Sequence, residues 1–264
     1  MKSDRFRYII TYLDENNLTI KLNRPEKRNA LNDGLVSELK TVFAEITKDT
    51  GVKTVTLTGE GKAFCSGADL EYLQQIKNYG FEKNFRDSMS LAELFFSIYT
   101  CPKPTIALVN GPAIAGGCGL ATVCDFVLAD REAKFGYPEV KIGFVAAIVS
   151  VFLLRQIGER HTRNLLLAGN VINAEEAVNI NLINRAGEWQ DILSQHRQLL
   201  QSLRNNSSEA MKTTKEMVAG FVFTDIKKEL ERLAEINAKF RETNDFSEGI
   251  SAFLEKRKPQ WVVS

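Results

Sequence analysis

The sequence predicts an α/β fold in which strands and helices alternate and a helical region closes the chain. Three observations carry that prediction. Between Thr105 and Ala129 the chain repeats strand, turn, helix, strand. Thr105 to Val109 is a near-continuous apolar run, as expected of a strand covered on both faces. The last third has helical periodicity with few strand signals. At 264 residues the chain has room for one large domain, or a domain with an appendage.

The elements follow in order. Tyr8 to Leu22 reads as two strands around a turn at Asp14-Glu15-Asn16-Asn17, the second alternating through Leu18, Ile20 and Leu22. Asn23 to Asn32 is a polar loop. Leu31, Leu35, Leu39, Val42, Phe43 and Ile46 recur at helical spacing. Thr54 to Thr58 is a strand ending at Gly59. Asp69 is placed to cap a helix over Leu70 to Lys77. Phe81 to Tyr99 is a helix with a stripe through Leu91, Leu94, Phe95 and Ile98, ended by Pro102 and Pro104. A helix follows over Gly116 to Cys124, and then a strand over Phe126 to Ala129. Asn173 and Glu176 have capping-box spacing. Asp225 to Arg241 carries Ile226, Leu230, Leu233 and Ile236 on one face, and Asp245 to Lys256 carries Phe246, Ile250, Phe253 and Leu254. No linker rich in Pro, Gly or Ser interrupts the chain, which divides into a core of residues 1–200 and a helical region of residues 201–264.

Composition excludes several classes. Hydrophobic residues make 44% and charged residues 25%, the balance of a globular protein. A net charge of +1 gives no reason to expect a nucleic-acid partner. No apolar run is long enough to span a membrane, and Met1 to Asn17 lacks the apolar stretch of a secretory signal. Cys65, Cys101, Cys118 and Cys124 form no CxxC, and with two histidines they make a poor zinc set. Reduced, packed thiols and a cytoplasmic location are the expectation.

Three segments could carry chemistry. Val109 to Asp125 holds a strand, a glycine turn and a helix start, where backbone N–H groups can meet a ligand. The spacing from Gly111 to Gly116 mimics the start of a P-loop, but Gly117-Cys118 replaces the lysine and hydroxyl residue that would hold phosphate. Taken alone, this turn reads more readily as close helix–strand packing. FCSGADL, Phe64 to Leu70, is a small-residue turn whose Ala68 N–H could face the same ligand. Ser66 is a poor nucleophile candidate, with no GxSxG and no His–Asp set. His161 and His196 both read as surface residues. Glu139, in FGYPEVKIGF, lies among apolar residues that would raise its pKa; the competing reading is a loop carboxylate paired with a lysine such as Lys141. Two backbone donors and one carboxylate could stabilise an enolate and move a proton beside it.

Together these segments resemble the crotonase superfamily, the enoyl-CoA hydratase/isomerase family, over nearly the whole chain. NRPEKRNALN, KAFCSGADL, NGPAIAGGCGLA, FGYPEVKIGF, NAEEAVNINLINR and DFSEGISAFLEKRKP look like family segments in family order. The resemblance implies a crotonase-like spiral of ββα repeats with a C-terminal helical region that drives trimerisation, giving homotrimers or dimers of trimers. It implies an acyl-CoA thioester substrate, with coenzyme A part of the substrate and no separate cofactor; the composition argues against a metal, nucleic acid or membrane partner. Carried over by position, the Ala68 and Gly116 N–H groups form the oxyanion hole and Glu139 is the acid/base. Arg28, Ala30, Ser66, Asp69 and Leu70 lie along the CoA path, some through backbone only, and Lys256 and Lys258 help hold CoA phosphates.

Two departures stand out. Hydratases of this family carry a second glutamate after the GG turn, where this chain has Gly119. Ala146-Ala147-Ile148 stands where many relatives have a Pro- and Gly-rich turn. The resemblance weights the reading toward a hydratase, a lyase, including one for a methylglutaconyl-like branched enoyl-CoA. Gly119 keeps open a single-glutamate isomerase, a decarboxylase, or a second acid from elsewhere, with Glu71 and Asp87 as candidates. A non-catalytic acyl-CoA binder or scaffold is the reading from another class.

Overall fold

The structure, a computed structural model, describes residues 5–222 and 226–262. A hairpin opens it: β1 (Ile9–Asp14) and β2 (Asn17–Leu22) pair antiparallel. Glu15 and Asn16, both at positive φ, make the two-residue turn, a conformation that matches the twist of the flanking strands. Then come α1 (Asp33–Ile46), β3 (Thr54–Gly59), α2 (Leu70–Ile76), α3 (Phe81–Tyr99), β4 (Thr105–Val109), β5 (Ala113–Ile114), α4 (Gly116–Thr122), β6 (Phe126–Asp130) and β7 (Lys134–Gly136). A 3-10 turn, Pro138–Ile142, leads to α5 (Ala147–Ala168), β8 (Val171–Asn173), α6 (Ala174–Asn179), β9 (Arg185–Gly187), α7 (Trp189–Asn205), α8 (Ser208–Val222), α9 (Ile226–Phe240) and α10 (Asn244–Leu254).

The larger sheet has the order β1-β2-β3-β4-β6-β9, parallel from β2 onward; β5, β7 and β8 form a second, smaller sheet. Every residue of β3 and β4 is buried, as the apolar run predicts for a parallel strand. The stripe of α1 (Leu35, Leu39, Val42, Phe43, Ile46) and that of α3 (Leu94, Phe95, Ile98) enter the main core. Asn173 and Glu176 exchange both capping-box bonds, at 2.8 and 2.9 Å. The four cysteines are buried and free.

Three expectations need correction. His196 is buried: it sits on the inward stripe of α7 with Ile192, Leu200 and Leu203. Its Nε2 lies 2.9 Å from Thr56 Oγ1, and burial pushes its pKa down to about 4. Ile236 is exposed; Asn237 continues the α9 stripe instead, because steps of four, three and four residues hold one face and Ile236 falls off it. Phe253 is also exposed, although it borders the cavity described next. Asp225 lies outside the described residues. No helix among the described residues is long and apolar enough to cross a membrane.

Candidate active site

Two loops that leave neighbouring parallel strands are stitched together after β3 and β4. Cys65 bridges Ala113, with Cys65 N–H donating to Pro112 O (3.1 Å) and Ile114 N–H to Cys65 O (2.9 Å). This contact needs glycine at 117: a Cβ there would lie 2.2 Å from Cys65 O. Beside it Leu31 bridges Ala68: Leu31 N–H donates to Gly67 O (2.7 Å) and Asp69 N–H to Leu31 O (2.9 Å). Successive N–H groups of an extended chain point to opposite sides, so the Ala68 N–H faces away from Leu31. Gly116 is the first residue of α4, where an N–H has no intrahelical acceptor. Ala115, which aims it, is held at φ 52° and ψ −127°, a conformation costly for a residue with a Cβ. Ala68 and Gly116 line the same cavity.

Glu139 enters that cavity from the 3-10 turn, which Pro138 starts. It is 7% exposed, and its Oε2 has no hydrogen-bond partner. Among the described residues it has no ion-pair partner either, so the pairing with Lys141 does not form. Burial pushes its pKa up from 4.5 to about 7, opposed only by a bond from its own backbone N–H. Its carbonyl accepts from Phe144 N–H at 2.9 Å, which fixes the turn.

Gly119 does not face open space. A Cβ at 119 would lie 2.6 Å from Phe95 Cζ and 3.5 Å from Val149 Cγ2. Phe95 is 1% exposed, packs edge-on against Phe152, and lines the cavity. The space beside the glycine is thus filled by an aromatic ring. Of the two alternative acids, Glu71 is exposed, pairs with Lys27 at 2.7 Å, and does not line the cavity. Asp87 does line it, but its Oδ1 accepts from Tyr72 and its Oδ2 from Arg241.

Ser66 lines the cavity; Arg28, Ala30, Asp69 and Leu70 do not, and occupy the chain beside it. Exposed Arg28 gives its carbonyl to Ser66 N–H at 3.1 Å. Ala30 is buried, its carbonyl accepting from Arg24. Asp69 caps α2 through Glu71 N–H (2.9 Å) and pairs with Arg24 at 2.6 Å, both side chains buried. Burial would raise its pKa, but the Arg24 bond and charge hold it below the usual carboxylate range. Leu70 is exposed, as are Lys256 and Lys258; between those lysines it is Arg257, with Pro259 beyond, that borders the cavity. Sequence reasoning missed Arg24, Phe95, Tyr72 and Arg241, whose partners Asp69, Gly119 and Asp87 lie 15 or more residues away along the chain.

The cavity holds about 830 Å³ and is walled mainly by apolar side chains. A large, mainly apolar cavity with a few convergent polar groups is the usual form of a small-molecule or active site. The chain belongs to the enoyl-CoA hydratase/isomerase family, whose sequence model matches residues 14–263. A relative from Thermus thermophilus that carries an enoyl-CoA hydratase name is 45% identical over 240 residues, covering 91% of this chain and 95% of the relative. The crotonyl-CoA hydratase of Syntrophomonas wolfei is 32% identical over 260 residues, 97% of this chain and 98% of that one. The crystal structure of enoyl-CoA hydratase from Bacillus halodurans matches with a TM-score of 0.87 at 29% identity, covering 93% of this chain and all of that one. The chain is accordingly an enzyme of the enoyl-CoA hydratase/isomerase type.

Proposed function

We propose that the chain acts on an enoyl-CoA thioester, with the Ala68 and Gly116 N–H groups holding the thioester oxygen and Glu139 carrying the proton. The observation that supports this most is the Glu139 carboxyl, buried and without a partner at Oε2, with a pKa of about 7, in the cavity both N–H groups border. A carboxyl of that pKa is divided between acid and base at neutral pH, where proton transfer in both directions is efficient. In hydration, the Glu139 carboxylate takes a proton from water as the oxygen adds to Cβ. The electron pair moves to the thioester oxygen, and Glu139 returns the proton to Cα. Each N–H donor to the developing oxyanion contributes roughly 3–4 kcal/mol in comparable sites.

The names of the relatives favour hydration. The ring of Phe95 beside Gly119 favours a second reading, isomerisation, in which Glu139 alone removes the Cα proton of a 3-enoyl thioester and returns it at Cγ. For the acyl group we propose a branched, methylglutaconyl-like enoyl chain. Coenzyme A enters as part of the substrate, and no separate cofactor or metal is proposed. Self-association as homotrimers or dimers of trimers through residues 201–264, and a cytoplasmic location, complete the proposal. Exposed Met217 and Val218, within that region, and the four free thiols support those two points.

Wild type and Glu139→Gln are compared for hydration of crotonyl-CoA, isomerisation of 3-hexenoyl-CoA and Cα-proton exchange in deuterated water. The expected result is turnover that falls by about 10²–10⁴-fold in the variant while acyl-CoA binding persists. Exchange or isomerisation without hydration selects the second reading. Tight acyl-CoA binding with no exchange in wild type overturns the catalytic reading in favour of a binder.

A further inference from the structure

Apart from Glu139 and the two N–H groups, the cavity is lined by the buried pair Ser88–Asn237 and by a charged buried cluster. The charged cluster is built from α2, α3 and the end of α9. Arg241 Nη1 donates to Asp87 Oδ2 (2.6 Å) and Asn84 Oδ1 (3.3 Å), and Tyr72 OH donates to Asp87 Oδ1. Both carboxylate oxygens of Asp87 are therefore engaged, and Asp87 serves to orient the guanidinium. The Arg241 side chain is 6% exposed, and its Cζ lies 5.2 Å from the centroid of Phe144. Phe144 is the residue whose N–H holds the Glu139 carbonyl, so Arg241 stands on the same wall as the acid/base.

Five N–H bonds leave a guanidinium, and both recorded acceptors fall on Nη1. Nε is buried without a partner, and Nη2 has no acceptor among the described residues. Nε is sealed off by the surrounding side chains, so Nη2 is the donor left for a ligand, and a charged N–H there bonds most strongly to an anion. A wholly apolar acyl chain beside it would leave that donor unmet. The nearby charges favour an anion: Lys83 and Arg86 also line the cavity, and Asp33 is the one carboxylate there besides Asp87 and Glu139.

We propose that Arg241, oriented by Asp87 and Tyr72, binds a carboxylate at the distal end of the acyl group, so that the substrate is a dicarboxylic acyl-CoA. This rests on the acyl-CoA reading above and gives the preference for a methylglutaconyl-like chain its own residues. A CoA phosphate is the other anionic group that could reach an arginine, and the experiment separates the two.

Calorimetry on the full chain measures binding of glutaryl-CoA, butyryl-CoA and free CoA, all saturated or acyl-free and so unreactive in hydration. Hydrogen bonds to charged groups predict that wild type binds glutaryl-CoA roughly 10- to 150-fold more tightly than butyryl-CoA. Arg241→Gln abolishes that ratio and leaves butyryl-CoA and free CoA unchanged. Equal affinities in wild type overturn the proposal, and this result needs no variant to fold. So does an equal loss for all three ligands in Arg241→Gln, which marks a phosphate contact or a general disturbance. Tyr72→Phe, which keeps Arg241, reduces the ratio in part. If glutaryl-CoA is preferred but wild type neither hydrates, isomerises nor exchanges the Cα proton of any enoyl-CoA tested, the subsite stands and the catalytic reading falls. Turnover without the preference means the converse.

Discussion

Glu139 gains nothing from its surroundings in the charged form. Its folded pKa of about 7 lies above the ordinary 4.5, so the folded protein holds that proton more tightly than the unfolded chain. The resulting stability is full below pH 4.5 and is lost as pH rises through 7. Ionising the group costs roughly 3 kcal/mol by linkage. Glu139→Gln is therefore expected to melt higher than wild type at pH 8 and equally at pH 4, by calorimetry across pH. The wild-type kcat/KM rises through the same pH range if the carboxylate is the base. Gly119 yields a second prediction. Gly119→Glu drives its Cβ into the Phe95 ring, and overpacking of this kind costs about 1–3 kcal/mol. The single variant loses thermal stability without gaining hydration rate, as a thermal melt and a crotonyl-CoA hydration assay would show. Glu139 was legible in the sequence because its apolar neighbours adjoin it along the chain. Phe95 was not, because the 23 residues between it and Gly119 hide the contact. His196 was misread since its immediate neighbours are polar, whereas its inward stripe runs at intervals of four and three.

At the scale of elements, what read well is what repeats. The stripes of α1 and α3, the buried strands β3 and β4, and the α2 and α6 caps follow from spacing and cap chemistry alone. Strands β5, β7, β8 and β9 span two or three residues each, too short for a period to register. They exist because a neighbour supplies the pairing. The cap of α2 does double duty, since Asp69 also neutralises buried Arg24. Asp69→Ala removes the cap and strands that charge, and breaking a buried pair costs about 3–5 kcal/mol. Urea denaturation should show that loss, and a smaller one for Asp69→Asn, which retains a capping oxygen.

For the whole molecule, the helical third is not a separate body. Ile226, Leu230, Leu233 and Ala234 of α9 share the main core, and Phe246 and Ile250 of α10 pack with Leu73 and Ile76 of α2. Sequence periodicity located these helices but not what they touch, because amphipathic stripes say which face is inward and not which partner waits. Light scattering on the full chain is expected to give three or six times 29.6 kDa. A monomer would remove the self-association proposal. The most direct link across the molecule is Gly249. A Cβ there would stand 2.3 Å from Ile142 O, in the turn that carries Glu139. The final helix thus lies backbone against backbone on the segment holding the proton carrier. Removing α10 by proteolysis is therefore expected to lower turnover while the circular dichroism of the sheet persists, which would make the tail a fuse for activity rather than for folding.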